Sequence, residues 1–301
     1  MGAARRDLVT VVSCVALVAF GVRAVYALEA PPVLFGGSDN AWYHAVGRSF
    51  AEGRWGRLPG VQGHLVLSVR FLPAYPLVLA AGQRLLFWMH PYGAHIWTSV
   101  LVGTLTAVVL AVLAWRVTDR AERRPQILTS VVSGLVFAAN PLVAGESVSL
   151  MSEVLYVLAV VWFLLALEGV LRGRQRSHGW LGLAAAFSLA ALTRSEGFVV
   201  FGLTLVVATL FASKDRAVRR KTVAALFVGL SAAALWSTAA SVAARLPVVI
   251  STNSGSLLLG SSCRASEQGS AIGFWGAPGC FSASPLTLSR QTRTAFVLQA
   301  A

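Results

Sequence analysis

Charge is scarce in this chain, and the stretch Gly36 to Gly53, GGSDNAWYHAVGRSFAEG, concentrates groups able to do acid–base chemistry. Asp39 offers a carboxylate; Tyr43 and His44 follow at +4 and +5, Arg48 at +9 and Glu52 at +13, a register compatible with a single helix. The Gly-Gly pair ahead of Asp39 frees the backbone to turn, and Ser38 or Asp39 can cap the helix that follows. Asp39 thus reads either as a helix cap or as a general base that takes a proton from a hydroxyl. Ser38 capping while Asp39 faces a site satisfies both readings. His44 reads as an interfacial polar residue or as a direct participant. Trp42, Val46, Phe50 and Trp55 make residues 40–55 amphipathic, which predicts a helix lying flat in a membrane interface.

Three further stretches carry chemistry. NPLVAGESVSLMSEVLYVL holds Glu146 and Glu153, two helical turns apart, so the two face one way if a continuous helix joins them. Glu153 also suits the positive N-terminus of the helix that it opens. TRSEG at 193–197 sets Arg194 and Glu196 in a tight turn, as a local ion pair or as a guanidinium for phosphate oxygens. STNSGSLLLGSS at 251–262, with Asn253, is a backbone-rich loop able to cradle a phosphate or a sugar. Arg57 and Arg70 could meet an anionic phosphate or lipid headgroups. No Walker, dinucleotide-binding, CxxC or HExxH pattern occurs.

The elements that must position these groups are membrane helices. Of 301 residues, 56% are hydrophobic and only 12% charged, with a mean hydropathy of +0.70. A soluble domain carries about a quarter charged residues, so composition alone predicts an all-α polytopic membrane protein. The net charge of +13 fits cationic cytoplasmic loops, and the long apolar runs leave no room for a nucleotide-binding domain. No nucleic-acid partner is expected. Seven runs are long enough to cross about 30 Å of hydrocarbon, given support from neighbours: Leu8–Leu28, Ile96–Trp115, Ile127–Ala144, Glu153–Leu171, Gly179–Thr193, Gly197–Ala212 and Thr222–Ser241.

The run Pro73 to Met89 is apolar but carries Gln83 and Arg84 near its middle. Were it to span, every later cationic loop would change sides. Placed in the interface, it leaves Arg5 and Arg6, Arg116–Gln126, Arg172–His178 and Ser213–Lys221 on one side, as the positive-inside rule requires. The expected layout is a transmembrane module over residues 1–244 with a first external loop at 29–95, then an external Gly/Ser-rich segment at 245–301. The N-terminus is cytoplasmic, the loop and C-terminus extracytoplasmic, and the membrane the plasma membrane. Cys263 and Cys280 then lie in an oxidising compartment, where a disulfide between them contributes about 3 kcal/mol; the alternative is two unpaired thiols. Cys14 lies in lipid as an ordinary small apolar residue.

The series SDNAWYHAVGRSFAEG, RFLPAYPLVLAA, SLMSEVLYVLAVVWFLLAL, ALTRSEGFVV and STNSGSLLLGSS, in that order, resembles the polyprenyl-phosphate-sugar-dependent glycosyltransferases of the GT-C superfamily, of the protein O-mannosyltransferase and aminoarabinose transferase type. The resemblance covers most of residues 36–262. It implies a cell-envelope enzyme moving a hexosyl or pentosyl group from a polyprenyl-phosphate sugar to an acceptor hydroxyl on a glycan, lipid or protein. Asp39 is then the catalytic base, Glu153 the second acidic position, and Tyr43, His44, Arg70, Arg194 and Asn253 hold the donor's phosphate and sugar. Members of the superfamily differ in metal use, so a divalent cation is an open requirement and no other cofactor is implied. This chain has Asp39-Asn40 where many relatives place two carboxylates, and relatives usually carry further spans and a soluble domain beyond the equivalent of Ala301. A shorter form or a fragment is implied. The alternatives are a transporter or flippase, which would require polar groups buried within the spans, and a non-catalytic membrane subunit.

Overall fold

The computed structural model describes residues 2–29, 39–59, 65–69, 71–173, 179–211, 215–245, 247–249 and 251. Among them the chain is helical apart from two three-residue strands. The elements in order are α1 (Gly2–Glu29), α2 (Asp39–Ala51), β1 (Arg57–Pro59), β2 (Leu65–Leu67), α3 (Ala74–Leu85), α4 (Pro91–Val117), α5 (Arg123–Ala139), α6 (Pro141–Glu146), α7 (Glu153–Leu171), α8 (Gly179–Ala191), α9 (Ser195–Phe211) and α10 (Arg216–Ala244). The chain divides into two compact units, Met1–Leu65 with Pro73–Ala233, and Val66–Leu72 with Ala234–Ala301. In the second, the Ser241 hydroxyl near the end of α10 accepts from Val248 N at 2.8 Å. All of the site described below belongs to the first.

Among the described residues, four helices are long and apolar enough to cross a membrane: Ala3–Glu29, Pro91–Val117, Glu153–Leu171 and Arg216–Ala243. They coincide with the first, second, fourth and seventh expected spans. The third breaks. Asn140 adopts an extended conformation before Pro141, whose ring disfavours a helical residue ahead of it, and the Asn140 side chain accepts from Leu142 N and Val143 N to start a new helix. The fifth and sixth runs form α8 and α9, 13 and 17 residues long, joined by the tight turn at Leu192–Arg194 that the sequence predicts. The apolar run at 73–89 forms the 12-residue α3, with a rise of about 18 Å against the roughly 30 Å of a bilayer core. It does not span.

Apolar packing assembles the bundle in two clusters. Val11, Val15 and Ala19 of α1 meet Ala107 and Ala111 of α4 and Ala138 of α5. Phe163 of α7, Leu183 and Phe187 of α8, and Phe201 and Leu205 of α9 form the second, with Val218 and Ala225 of α10. The opposite face of α9 leaves Leu203, Leu210 and Phe211 exposed, an apolar surface that suits hydrocarbon rather than water.

Ion pairs mark one end of this bundle. Asp7 near the start of α1 pairs with Arg123 at the start of α5 at 2.5 Å. Arg172, just past α7, donates to Asp119 at 2.9 Å and to Arg116 O at 3.1 Å beyond and within the end of α4. Asp215 caps α10, ahead of Arg216, Arg219, Arg220 and Lys221, and Thr209 at the end of α9 bonds to Thr222. The cationic segments therefore gather at one end, and α2, α3, the start of α7 and the α8–α9 turn lie at the other.

Candidate active site

α2 is seated by close packing. A Cβ at Gly47 would lie 3.1 Å from both Leu79 Cβ of α3 and His95 Cε1 of α4, and one at Gly82 would lie 1.8 Å from the Thr98 hydroxyl. Small residues at these two crossings bring α2, α3 and α4 close enough for their polar side chains to meet. Arg84 completes the seat by donating to Ala51 O at 3.1 Å and to Phe50 O at 3.3 Å, at the C-terminal end of α2, where Phe50 O also accepts from Gly53 N at 3.1 Å. α2 buries Val46 against these neighbours, and of its four expected apolar anchors Trp55, beyond the helix, is the exposed one.

Asp39 opens α2, and Tyr43 follows on the same face. The Tyr43 hydroxyl donates to Ser152 Oγ at 3.1 Å, and its ring stands edge-on to Tyr75 at 5.1 Å. Tyr75 in turn shares a 2.8 Å hydrogen bond with Ser99 of α4. Burial pushes the Tyr43 phenol up to about 12, with the Asp39 and Glu153 carboxylates adding to the rise. Burial likewise pushes up Tyr75. Both stay neutral hydrogen-bonding groups at any physiological pH.

Ser152 places Tyr43 beside Glu153, the first residue of α7. Arg194, in the α8–α9 turn, donates to Glu153 Oε1 and also to Glu196 Oε1, the latter at 3.2 Å. Burial opposes the charge on Arg194, but the two carboxylates outweigh it and hold the guanidinium above its ordinary value. Leu192 O of the same turn accepts from Ala74 N at 2.9 Å, which ties the turn to the start of α3. Glu153 Oε2 is buried and has no hydrogen-bond partner among the described residues. Asp39, Tyr43, Glu153 and Arg194, drawn from three distant stretches, thus share one location, and Asp39, Glu153 and Arg194 all act electrostatically on Tyr43.

The other side of α2 is basic and aromatic. His44 Nδ1 lies 2.9 Å from His95 Nδ1, and His95 Nε2 lies 3.0 Å from Gln83 Oε1. Tyr92 stands edge-on to the His44 ring at 5.6 Å. Burial holds His44 below the ordinary imidazole value, and the charges of Arg48 and His90 push in the same direction. Arg48 pairs with Glu52 at 2.5 Å, which also pairs with Arg54.

Comparison with known proteins adds no name to this geometry. No family model matches the chain, and no curated protein does.

Several expectations change on this geometry. Glu146 does not share a helical face with Glu153: α6 ends at Glu146, Leu150 takes φ +56°, and α7 begins afresh. Glu146 instead accepts from the Ser149 hydroxyl at 3.3 Å. Arg70, Asn253, Cys263 and Cys280 lie outside the described residues, so the donor-loop and disulfide readings stay as expectations. For a divalent cation, no group of three or more His, Cys, Asp or Glu is arranged to hold one among the described residues.

Sequence reasoning gave no role to Tyr75, Ser152 or His95, and used Gln83 only to judge whether its run spans. A signal existed for His95, a polar residue beside a span where polarity is costly. It also passed over Arg23. That residue is wholly buried in α1, donating to Ser147 Oγ at 3.1 Å and Ala19 O at 3.1 Å, with its guanidinium 5.6 Å from the Phe137 ring centre. Arg23 lies within the first expected span, Leu8–Leu28. The Ala19 and Ala138 carbonyls, the Ser147 hydroxyl and a ring face supply part of what water would give elsewhere, while Nη2 is buried with no hydrogen-bond partner among the described residues.

Proposed function

We propose that the chain is a membrane glycosyltransferase that moves a sugar from a polyprenyl-phosphate donor to an acceptor hydroxyl. The observation that carries this reading is the meeting of Asp39, Tyr43, Glu153 and Arg194 at the end of the bundle opposite the cationic segments. By the positive-inside rule that end is extracytoplasmic, with α1, α4, α5 and α7 to α10 as the membrane module. Asp39 takes the acceptor proton as the hydroxyl oxygen attacks the anomeric carbon. The bond from that carbon to the phosphate oxygen breaks, the prenyl phosphate leaves, and the configuration inverts. The unpartnered oxygen of Glu153 suits a hydrogen bond from a sugar hydroxyl. Arg194, already facing two carboxylates, serves best as the clamp that orients Glu153, and its pull on phosphate is reduced accordingly.

The test is transfer of radiolabelled sugar from prenyl-phosphate donors in membranes carrying the native chain or Asp39→Asn at equal expression. Transfer lost only in the variant supports the enzyme and its base together; equal transfer removes Asp39 from the mechanism. A transporter is the second reading, favoured by Arg23, because charges buried in spans mark transport pathways. Arg23 stands six residues before the end of α1, about 9 Å along the axis, so it lies toward one surface rather than at the midplane where transporter sites sit.

A further inference from the structure

His44 and His95 meet through like atoms, and this restricts where their protons can be. Gln83 Oε1 can only accept, so His95 Nε2, 3.0 Å away, carries a hydrogen. A neutral His95 then has a bare Nδ1, and the 2.9 Å contact needs the hydrogen to come from His44 Nδ1. His44 Nε2 is left with its lone pair, and no described residue bonds to it. We propose that His95 and Gln83 are positioning residues that hold His44 as the neutral Nδ1–H tautomer, so that Nε2 is a fixed acceptor for a ligand hydroxyl.

The arrangement has the form of an acid–base relay in which one ring is oriented by a second group and that group by a third. Its surroundings suit a neutral ring. From α2 itself, Arg48 faces His44; from the start of α4 come His90, Tyr92 and His95, and none of these is a carboxylate. Gly47, one turn along α2 from Tyr43, leaves just enough room for the His95 ring beneath. That α4 carries a wholly buried histidine next to Ile96 has a physical reason in this role. The acceptor function for a sugar hydroxyl rests on the glycosyltransferase reading; the tautomer does not.

The experiment is nitrogen NMR of the full chain in lipid nanodiscs with ¹⁵N-histidine, reading which ring nitrogen of His44 bears hydrogen at pH 7.5. His44→Gln assigns the resonances. The expected result is a protonated Nδ1 and a bare Nε2 in the native chain. His95→Phe, which keeps a ring in the cavity, is expected to exchange the two resonance types, as is Gln83→Leu, whereas Gln83→Glu keeps the native pattern because it still accepts. A native His44 protonated on Nε2, or an Nδ1–H unchanged in both His95→Phe and Gln83→Leu, overturns the proposal. Label transfer measured on the same samples separates the two claims: a native chain that transfers nothing removes the glycosyltransferase reading while the resonances still decide the tautomer.

Discussion

Arg194 and Glu153, 41 positions apart in sequence, form an ion pair that fastens the α8–α9 turn to the first residue of α7. Both side chains are about a third exposed, so screening by water limits what the pair contributes. Its larger effect is on geometry, because Ser152, next to Glu153, is the partner of Tyr43.

A double-mutant cycle of Arg194→Ala and Glu153→Gln should therefore give a coupling of roughly 1 kcal/mol or less in thermal unfolding in detergent. Transfer activity should fall further than that stability loss explains. A coupling above about 3 kcal/mol would mean the pair is far drier than its exposure indicates.

Tyr43→Phe removes one hydrogen bond and keeps the ring against Tyr75. The expected cost is about 1 kcal/mol, and Tyr43→Ala about 3 kcal/mol or more through the cavity it leaves. Because the Tyr43 phenol is held up at about 12, the pH profile of activity between 6 and 9 should have the same shape in the native chain and in Tyr43→Phe. A limb that disappears in the variant contradicts this.

His44 sets a pH dependence with a definite sign. Its folded value lies below the ordinary 6.5, so between the two the unfolded chain binds a proton that the folded chain does not. Stability rises with pH through that window. The contribution is complete above 6.5 and is lost as pH falls toward the folded value. Unfolding scans from pH 5 to 8 should show this slope in the native chain and a flatter one in His44→Gln; equal slopes would exclude His44 as its source.

Arg23→Met should be mild, roughly 1 kcal/mol. Ser147 keeps its bond to Val143 O at 2.9 Å, Ala138 O loses a long one at 3.5 Å, and a buried guanidinium no longer has to be desolvated. Arg23→Ala should cost about 3 kcal/mol through the void it opens. The order of the two variants in thermal unfolding decides the matter: Met no better than Ala would mean that the charge itself is required.

Gly82→Ala places a methyl inside the Thr98 side chain, with Thr98 Cβ itself 2.7 Å away. α3 must then move off α4, at an expected cost of about 3 kcal/mol. Gln83 follows α3, so the His44 tautomer readout should change in this variant while the apolar packing of α7, α8 and α9 stays intact.

Much of this protein is legible along the chain, because hydropathy and charge scarcity are properties of consecutive residues. Composition establishes the membrane class, the runs locate α1, α4, α7 and α10, and TRSEG marks the α8–α9 turn. Gln83 and Arg84 set α3 apart from the longer apolar runs. The gathering of Arg5, Arg116 and Arg172 at one end also follows from counting spans. What tertiary structure alone decided is which polar groups meet. Nothing in the order of residues tells that Tyr43 finds Ser152, that His44 finds His95 and Gln83, or that Arg23 is enclosed by Ala138 and Ser147. Those meetings depend on helix crossings at small residues, Gly47 and Gly82 among them, whose position and rotation come from side chains packing between helices. In a dry interior each polar group must find a partner, and only the packed bundle determines which one.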